Sequence, residues 1–396
     1  MESSVLRGVI VFISLEQWDE IWRRNQFLCV KLVERNPELK ILFVEPSLDV
    51  SNALRTGRAE RILQRRKSSA GVEGRIVCTR PLKFFPNSWT WTRRINEGIA
   101  RRGVLSLLRK LGWGISVLWV NAHGAVHMVG QMSESAMIYD VTDDWTQFPE
   151  TPAALALIKA QDRELCMKAN AVIVCSKELH QLKAPLTRKI HLIPNGVDAS
   201  HYATALDNQL PIPAEARDWK RPVLGYTGTV HPDRVDVFLV EAIAKRLPDC
   251  TLAFVGPQML PPKDSDRLKA LPNVVLVGPR PYERMPEYMR VFDICITPHL
   301  VTPFTESLNP IKLWDYLAVG KPIISTPVAG FRDYPEFVYL ARNAEEFAQA
   351  VRESLQENTV LPERRRAEAA KHSWDRRVEA VEDVINQCCA RVAVAA

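Results

Sequence analysis

Short apolar runs rich in β-branched residues alternate along this chain with longer stretches whose apolar residues recur at helical spacing. The short runs predict buried strands at 8–14, 40–44, 116–120, 136–139, 171–175, 223–226, 251–255, 274–277, 294–297 and 322–326. The longer stretches predict helices at 22–34, 154–167, 237–247, 285–291 and 310–318. Because parallel strands need long crossover connections, this alternation indicates an α/β protein whose parallel sheets are covered by helices on both faces.

A stretch at 210–221 (LPIPAEARDWKR) interrupts the alternation and is typical of a linker. The strand and helix pattern restarts after it. We therefore predict an N-terminal Rossmann-like domain over 1–195 and a second Rossmann-like domain over 210–372. Ser373 is suited to cap a last helix, which apolar residues at helical spacing place over 374–388. Doubly wound sheets bind ligands at the carboxyl ends of their strands, so we look for the site there.

The composition of the 396 residues is that of a soluble globular enzyme, with 46% hydrophobic and 25% charged residues, and it excludes a disordered chain. The N-terminal apolar run is too short for a signal peptide or a membrane span, and we expect a cytoplasmic protein. The eight cysteines include no CxxC pair and no Cys/His cluster at metal spacing. We therefore expect reduced thiols and no bound metal.

Positive charge is concentrated between residues 51 and 110, where fifteen Lys or Arg residues stand against three Glu. Aromatic residues interleave these charges, among them Phe84, Phe85, Trp89 and Trp91. This combination fits the anionic surface of a membrane, with the protein peripheral on its inner face. A merely solvated basic face explains the charge equally well, and a nucleic-acid surface is a weaker alternative.

Four segments of the second half occur in a characteristic order: IHLIPNGVD (190–198), VLGYTGTV (223–230), NVVLVGPRPYERMPEYMRVFDICITP (273–298) and NPIKLWDYLAVGKPIIST (309–326). With WDEIWRRNQ (18–26) and YDVTDDW (139–145), they make the chain resemble the GT-B glycosyltransferases of group 1, also called family 4. The resemblance implies two doubly wound Rossmann-like domains that face each other across a cleft. It also implies that the C-terminal helix crosses back to the first domain.

The resemblance places the nucleotide-sugar donor on the second domain. Gly228 and Thr229 follow a strand and precede a helix, where backbone N–H groups are suited to hold a diphosphate. Lys312, near a helix start, would neutralise the departing nucleoside diphosphate. Asp315, one helical turn later, would accept hydrogen bonds from the ribose. Eight residues separate Glu306 from Asp315, where the family has seven between its two glutamates, so contact of Glu306 with the sugar ring is in doubt and a loop carboxylate without function is the alternative.

By the same resemblance, the nucleotide base binds at the turn Gly278–Pro281. The backbone of Arg280 would pair with an edge of the base, and its side chain would reach a phosphate or an acidic sugar. Tyr282 would pack nearby.

The motif at 139–145 provides the candidate catalytic base. A carboxylate on a loop at the end of a strand is suited to take the proton of an acceptor hydroxyl. The motif is similar to one in the bacterial glucuronosyltransferase of xanthan synthesis, and that similarity assigns the role to Asp143, with Asp144 as the alternative. No histidine stands in this segment, which favours an inverting reaction over a retaining one.

Residues that follow two other strands of the first domain are candidates for the acceptor side. His123 follows the predicted strand 116–120 and would line the cleft. Trp22, Arg23 and Arg24 follow the first strand, and the two arginines would grip a lipid diphosphate. For both sets a purely structural role is the alternative.

We therefore interpret the chain as a glycosyltransferase that moves a sugar from a nucleoside diphosphate sugar, with UDP favoured, to a hydroxyl of a lipid-linked or envelope glycan. It would need no cofactor, since helix ends and Lys312 supply charge at the phosphates. A nucleic-acid partner is not expected. The alternatives are a retaining transferase of the same group, a nucleotide-sugar epimerase, or an inactive GT-B protein that binds a partner enzyme.

Overall fold

The computed structural model describes residues 6–55, 72, 74–87 and 89–395, and the chain folds into two compact units. The first, here called the N-unit, comprises Met1–Asp19, Arg24–Pro194 and Asp375–Ala396. The second, the C-unit, comprises Glu20–Arg23 and Asn195–Trp374.

The C-unit begins at Asn195, fifteen residues before the predicted start at 210, because residues 195–209 pack on it. The Val197 N–H donates to the His372 carbonyl oxygen at 2.9 Å, and the Tyr202 side chain is buried in the C-unit core. The predicted linker 210–221 therefore lies within the C-unit, where Ala216 is buried in the same core.

A seven-stranded parallel sheet forms the centre of the N-unit, with strand order β4-β2-β1-β6-β7-β8-β9 and a separate short pair, β3 and β5. The strands are β1 (Gly8–Ile13), β2 (Leu39–Val44), β3 (Leu48–Asp49), β4 (Ile76–Thr79), β5 (Leu82–Lys83), β6 (Val117–Val120), β7 (Ala136–Val141), β8 (Ala171–Val174) and β9 (Ile190–Leu192). The helices are α1 (Arg24–Arg35), α2 (Val50–Arg55), α3 (Thr90–Leu111), α4 (Pro152–Lys168) and α5 (Lys177–Lys183).

The C-unit repeats this architecture around a six-stranded parallel sheet of order β12-β11-β10-β13-β14-β15. Its strands are β10 (Val223–Thr227), β11 (Thr251–Val255), β12 (Val274–Gly278), β13 (Ile294–Thr297), β14 (Ile323–Ser325) and β15 (Val338–Leu340). Its helices are α6 (Ala199–Ala203), α7 (Val237–Arg246), α8 (Pro262–Lys269), α9 (Met285–Val291), α10 (Ile311–Val319), α11 (Ala344–Ser354) and α12 (Leu361–Ala370).

The last helix, α13 (Trp374–Ala395), packs on the N-unit from Asp375 onward. The Glu382 carboxylate accepts hydrogen bonds from the Arg35 Nε at 3.2 Å and from the Asn36 Nδ2 at 2.6 Å, which ties α13 to the end of α1. The helix extends seven residues beyond the predicted end at 388, because the sequence that follows is rich in alanine, a strong helix former. Among the described residues, no helix is long and apolar enough to cross a membrane.

The predicted α/β class is confirmed, and the continuous apolar runs are the central strands. In the N-unit, the Phe12 ring of β1 stacks on Phe43 at 5.4 Å and on Trp119 at 5.3 Å, with all three side chains fully buried. Burial of each such side chain contributes about 1.5–3 kcal/mol. Sequence patterning missed β4, β9 and β15, which are only three or four residues long and carry polar residues.

Strand order fixes where ligands can bind in each sheet. In the N-unit, β1 lies between β2 and β6, and in the C-unit β10 lies between β11 and β13. Connections leave in opposite directions at these strands, and a crevice forms at their carboxyl ends. The loops after β1, β6 and β7, and those after β10 and β13, are therefore the places where functional side chains are expected.

Candidate active site

Two glycines allow the loops after β10 and β11 to approach each other in the C-unit. Gly228 has φ of 114° and Gly256 has φ of 151°, a range that favours glycine. A Cβ added at Gly256 would lie 2.1 Å from the Gly228 carbonyl oxygen, so no other residue fits there. A Cβ at Gly228 would lie 3.4 Å from the Lys312 Nζ. The predicted glycine turn and the predicted lysine are therefore direct neighbours.

Lys312 lies in the first turn of α10 and is held over Tyr226, the fourth residue of β10. Its Nζ donates to the Tyr226 hydroxyl oxygen at 2.7 Å and lies 4.0 Å from the centre of the ring. The Tyr226 hydroxyl in turn donates to the Thr229 carbonyl oxygen at 3.0 Å and lies 3.1 Å from the His299 Nε2. The ammonium group is thus fixed at the end of β10 by a buried phenol.

Positive charge accumulates around Lys312. Burial, and then the charge of Arg234, lower the pKa of Lys312 well below its ordinary value, while Asp315 opposes that shift. Burial also lowers the pKa of His299 well below its ordinary value, with Lys312 and Arg234 adding to the shift, so His299 is neutral at neutral pH. An anion bound at this point would relieve the repulsion between the cations.

Arg234 is a functional candidate that the sequence analysis missed. It lies in the loop between β10 and α7, and its guanidinium lies 5.6 Å from the centre of the Phe304 ring on the loop after β13. The sequence signal that could have pointed to Arg234 is its basic side chain two positions before Asp236, which is the N-cap of α7. Its nearness to Lys312 follows only from the folding of the two loops.

Asp315 lies on α10 and is nearly buried. Burial raises its pKa, while a hydrogen bond from the Tyr202 side chain and the charge of Lys312 oppose the rise. The structure therefore places Asp315 beside Lys312, as the spacing predicted, and pairs it with Tyr202. Its predicted role at the ribose stays a prediction.

Glu306 lies in the short turn Thr305–Ser307 on the loop after β13, and its Oε2 accepts a hydrogen bond from Arg332. Its Oε1 is buried without a hydrogen-bond partner among the described residues. The structure thus pairs Glu306 with Arg332, and the doubt that it contacts a sugar ring stays a prediction.

Three hydrogen bonds hold the Arg280 side chain within the C-unit. Its Nε donates to the Tyr288 hydroxyl at 2.6 Å, its NH1 to the Pro279 carbonyl oxygen at 2.9 Å and one NH2 hydrogen to Glu215 at 2.9 Å. The hydrogen bonds from Tyr288 and Arg280 lower the pKa of Glu215 to about 2, so this carboxylate is ionised at neutral pH. The guanidinium therefore pairs within the C-unit, and the expectation that it reaches a phosphate or an acidic sugar stays a prediction.

Trp22 and Arg23 belong to the C-unit, although the sequence assigned them to the first domain. The Trp22 ring stacks on Tyr282 at 5.5 Å, and the His201 ring stacks on Tyr282 at 4.0 Å. The Tyr282 N–H donates to the Glu20 carbonyl oxygen at 3.0 Å, which anchors this segment. Tyr282 therefore packs against aromatic side chains, Trp22 among them, and the acceptor-side role of Trp22 stays a prediction. The NH1 of Arg23 donates to the Ile21 carbonyl oxygen at 2.9 Å.

Arg24 is a structural residue of the N-unit. It is 3% exposed, and its Nε and NH2 each lie 3.4 Å from an oxygen of Asp140, which is fully buried. Asp140 also accepts a hydrogen bond from the Trp119 Nε1 at 3.3 Å. The NH1 of Arg24 donates to the Pro194 carbonyl oxygen at 3.2 Å. The prediction that Arg24 grips a lipid diphosphate is wrong, because its charge neutralises a buried carboxylate.

The two candidate bases after β7 differ in their surroundings. Asp144 is 4% exposed and caps the turn Trp145–Gln147, accepting from the Thr146 N–H at 3.1 Å and from the Thr146 hydroxyl at 2.6 Å. Asp143 is half-buried, and its Oδ2 accepts from the Thr142 hydroxyl at 3.2 Å. The capping of its own turn disfavours Asp144 as a base, and Asp143 stays the predicted one.

His123 begins the turn that follows β6, next to β7 in the sheet. Its ring is half-buried, and its centre lies 6.4 Å from that of Trp145. Burial lowers the pKa of His123, so the ring is neutral at neutral pH, and its Nδ1 is buried without a hydrogen-bond partner among the described residues. The fold therefore brings His123 to the segment that carries Asp143 and Asp144.

Comparison with known proteins gives matches in sequence and in fold. Residues 221–357 match the sequence model of the family described as glycosyl transferases group 1. Over 220 residues the chain is 29% identical to a protein of Bacillus subtilis (strain 168) whose name assigns it to teichuronic acid biosynthesis as the glycosyltransferase TuaH. The match covers 53% of this chain and 55% of TuaH, so the chain spans about half the length of this curated relative.

Solved structures resemble the chain over nearly its whole length. Anabaena Alr3699/HepE in complex with UDP and glucose has a TM-score of 0.64 and 14% identity, with 95% of this chain and 99% of that chain covered. The catalytic domain of starch synthase IV from Arabidopsis thaliana, bound to ADP and acarbose, has a TM-score of 0.63 and 12% identity, with 97% and 99% covered. At these identities the likeness shows a shared fold, which is GT-B, as the motifs predicted.

Proposed function

We propose that the chain is a group 1 glycosyltransferase, as the match of residues 221–357 to that family's model supports, and that it transfers a sugar from a UDP-sugar to a hydroxyl of a lipid-linked or envelope glycan. HepE was solved with UDP, which supports UDP as the donor nucleotide. The name of TuaH supports a polysaccharide acceptor. We further propose that the protein is cytoplasmic and acts at the inner face of the membrane.

One observation carries the proposal: Lys312 lies beside the glycine turn at Gly228, and the charge of a second cation, Arg234, acts on it. Their mutual repulsion makes the site favourable for a group with two or more negative charges, and a diphosphate is such a group. When the bond between the sugar and the diphosphate breaks, further negative charge develops on the leaving oxygen. Lys312 would stabilise that charge, so the proposed reaction does not need a metal ion.

We propose that the reaction is a single displacement with inversion. Asp143 would take the proton of the acceptor hydroxyl while the hydroxyl oxygen bonds to the anomeric carbon. The nucleoside diphosphate would leave with the electrons of the broken bond. The neutral His123 near the same segment would donate a hydrogen bond to the acceptor. The half-buried setting of Asp143, in contrast to the capping Asp144, supports this choice.

Incubation of the purified chain with a panel of UDP-, GDP- and TDP-sugars tests the proposal. Without an acceptor, a glycosyltransferase is expected to hydrolyse its own donor slowly, releasing the unaltered sugar and the nucleoside diphosphate. We expect this with one or more UDP-sugars. An altered sugar as the product would instead identify an epimerase, and no turnover with any donor would identify an inactive binding protein.

Binding of UDP should depend on pH through Lys312. Because the pKa of Lys312 is lowered in the empty site and a diphosphate would raise it, UDP binding should take up protons. The affinity should fall as pH is raised through the alkaline range, since the free lysine loses its charge at a lower pH than an ordinary lysine while the UDP phosphates stay ionised. Calorimetry in buffers of different ionisation enthalpy measures the uptake.

Lys312→Ala is the matched control for this measurement. The variant should bind UDP more weakly, and proton uptake in the upper part of the pH range should disappear. His299 contributes only near neutral pH, because its ordinary pKa is lower than that of lysine. An affinity that does not change with pH in the native chain would contradict the assignment of the diphosphate to Lys312.

A further inference from the structure

Four exposed aromatic side chains project from the N-unit between β5 and the first turn of α3. Trp89 and Trp91 are each 59% exposed, and their rings stack on each other with centres 6.1 Å apart and planes 5° apart. Phe84 and Phe85 are 40% and 41% exposed. These four residues are here called the aromatic ridge. Exposed aromatic clusters of this kind mark interaction surfaces, because transfer of their apolar rings out of water is favourable.

Buried polar side chains hold the ridge in place. Asn96 is 6% exposed, and its Oδ1 accepts from the Phe84 N–H at 3.1 Å and the Phe85 N–H at 3.2 Å, while its Nδ2 donates to the Phe85 carbonyl oxygen at 2.8 Å. The Thr92 hydroxyl, 1% exposed, lies 2.6 Å from the Pro86 carbonyl oxygen. The backbone of the loop that carries Phe84 and Phe85 is therefore fixed from inside by α3.

The solvent-facing side of α3 continues from the ridge as a cationic stripe. Trp91, Ile95, Arg102 and Arg109 lie on one line along the helix, and Arg94 lies beside it. Ile95 is 42% exposed, and Arg94, Arg102 and Arg109 are exposed. Within the part of the chain that the structure describes, no carboxylate pairs with these three arginines. The stripe is thus apolar at the start of the helix and basic toward its end.

The basic sequence extends beyond the described residues. Five of the cations of the basic segment, Arg58, Arg61, Arg65, Arg66 and Lys67, lie outside the described residues, and their part in the predicted surface rests on sequence alone. They follow α2, whose Ser51 hydroxyl donates to the Phe84 carbonyl oxygen at 2.6 Å. The ridge is therefore joined to the helix from which the basic sequence continues.

From this arrangement we infer that the aromatic ridge and the stripe of Arg94, Arg102 and Arg109 dock the protein on an anionic lipid bilayer. Tryptophan rings favour the boundary between headgroups and acyl chains, and arginines attract anionic headgroups. The aromatic ridge therefore suits the boundary with the acyl chains, and the arginine stripe suits the headgroup layer of the same leaflet. The Trp89 and Trp91 rings stack on each other, which leaves less ring surface for nucleic-acid bases. The inference deepens the proposed function by locating the surface that brings the enzyme to its lipid-linked acceptor.

Sedimentation with vesicles of phosphatidylglycerol and phosphatidylcholine tests the inference on the full chain. We expect binding at low salt, little binding to pure phosphatidylcholine, and release at high salt, because exposed charges are screened over about 10 Å at 0.1 M salt. The double variant W89S/W91S should bind at least about tenfold more weakly. The triple variant R94Q/R102Q/R109Q should lose the dependence on phosphatidylglycerol. Met259→Ser, at an exposed apolar residue of the C-unit, is the matched control and should bind as the native chain does.

Donor hydrolysis by the same variants separates this inference from the proposed function. It needs no membrane and should stay at the native level in all variants. The inference would be overturned, whatever the hydrolysis shows, if the native chain did not bind vesicles at low salt. It would also be overturned if the tryptophan and arginine variants bound vesicles as strongly as the native chain does. Preference for a nucleic-acid duplex over the vesicles, lost in the same variants, would also overturn it. Vesicle binding without donor turnover would leave the docking surface standing and reject the proposed activity.

Discussion

Lys312→Ala is expected to lower donor turnover by about 10²-fold or more while the fold persists. Lys312 lies 3.4 Å from the position that a Cβ on Gly228 would occupy, and it is held there by the Tyr226 hydroxyl. The lost contact is one between a fixed cation and a charge that grows as the bond to the sugar breaks. The measurement is release of the nucleoside diphosphate from the donor identified by the panel.

Lys245→Ala is the control for the loss of one positive charge. Lys245 lies on the exposed side of α7 and pairs with Glu241, so its removal should leave turnover unchanged. Circular dichroism and thermal unfolding establish that the Lys312 variant is folded. Normal turnover in a folded Lys312→Ala variant would show that the diphosphate binds elsewhere.

Asp143→Asn is expected to lower sugar transfer by about 10²–10⁴-fold while donor binding persists. The amide keeps the size of the carboxylate and still accepts the hydrogen bond of the Thr142 hydroxyl, but it cannot take a proton at neutral pH. The measurement compares transfer to an acceptor with UDP affinity in the same variant. A specific loss of transfer assigns the base.

Asp144→Asn should have a milder effect, because the amide oxygen still caps the turn Trp145–Gln147. If instead Asp144→Asn abolishes transfer and Asp143→Asn does not, Asp144 is the base. Normal transfer by both variants would give the motif a structural role only. The anomeric configuration of the product, determined by NMR, tests the inverting mechanism separately from the residue, since a retained configuration would reject inversion alone.

Local sequence determined the features that depend on short-range patterns. Continuous apolar runs indicated the central strands, because a strand buried on both faces must be apolar throughout. The spacing of Lys312 and Asp315 placed both on one face of α10, and the glycine turn after β10 followed from the strand and helix pattern. These features gave the fold class and the position of the proposed diphosphate site.

The tertiary structure decided which charged groups are available for a ligand. Arg24 neutralises Asp140, 116 residues away, and Arg280 pairs with Glu215, 65 residues away, and neither partner could be predicted from the motifs. Arg234 lies near Lys312 only because two loops meet at the ends of β10 and β13. The reason is physical: periodicity and capping act over a few residues, whereas the partner of a charge is whichever group the folded chain brings within a few ångströms.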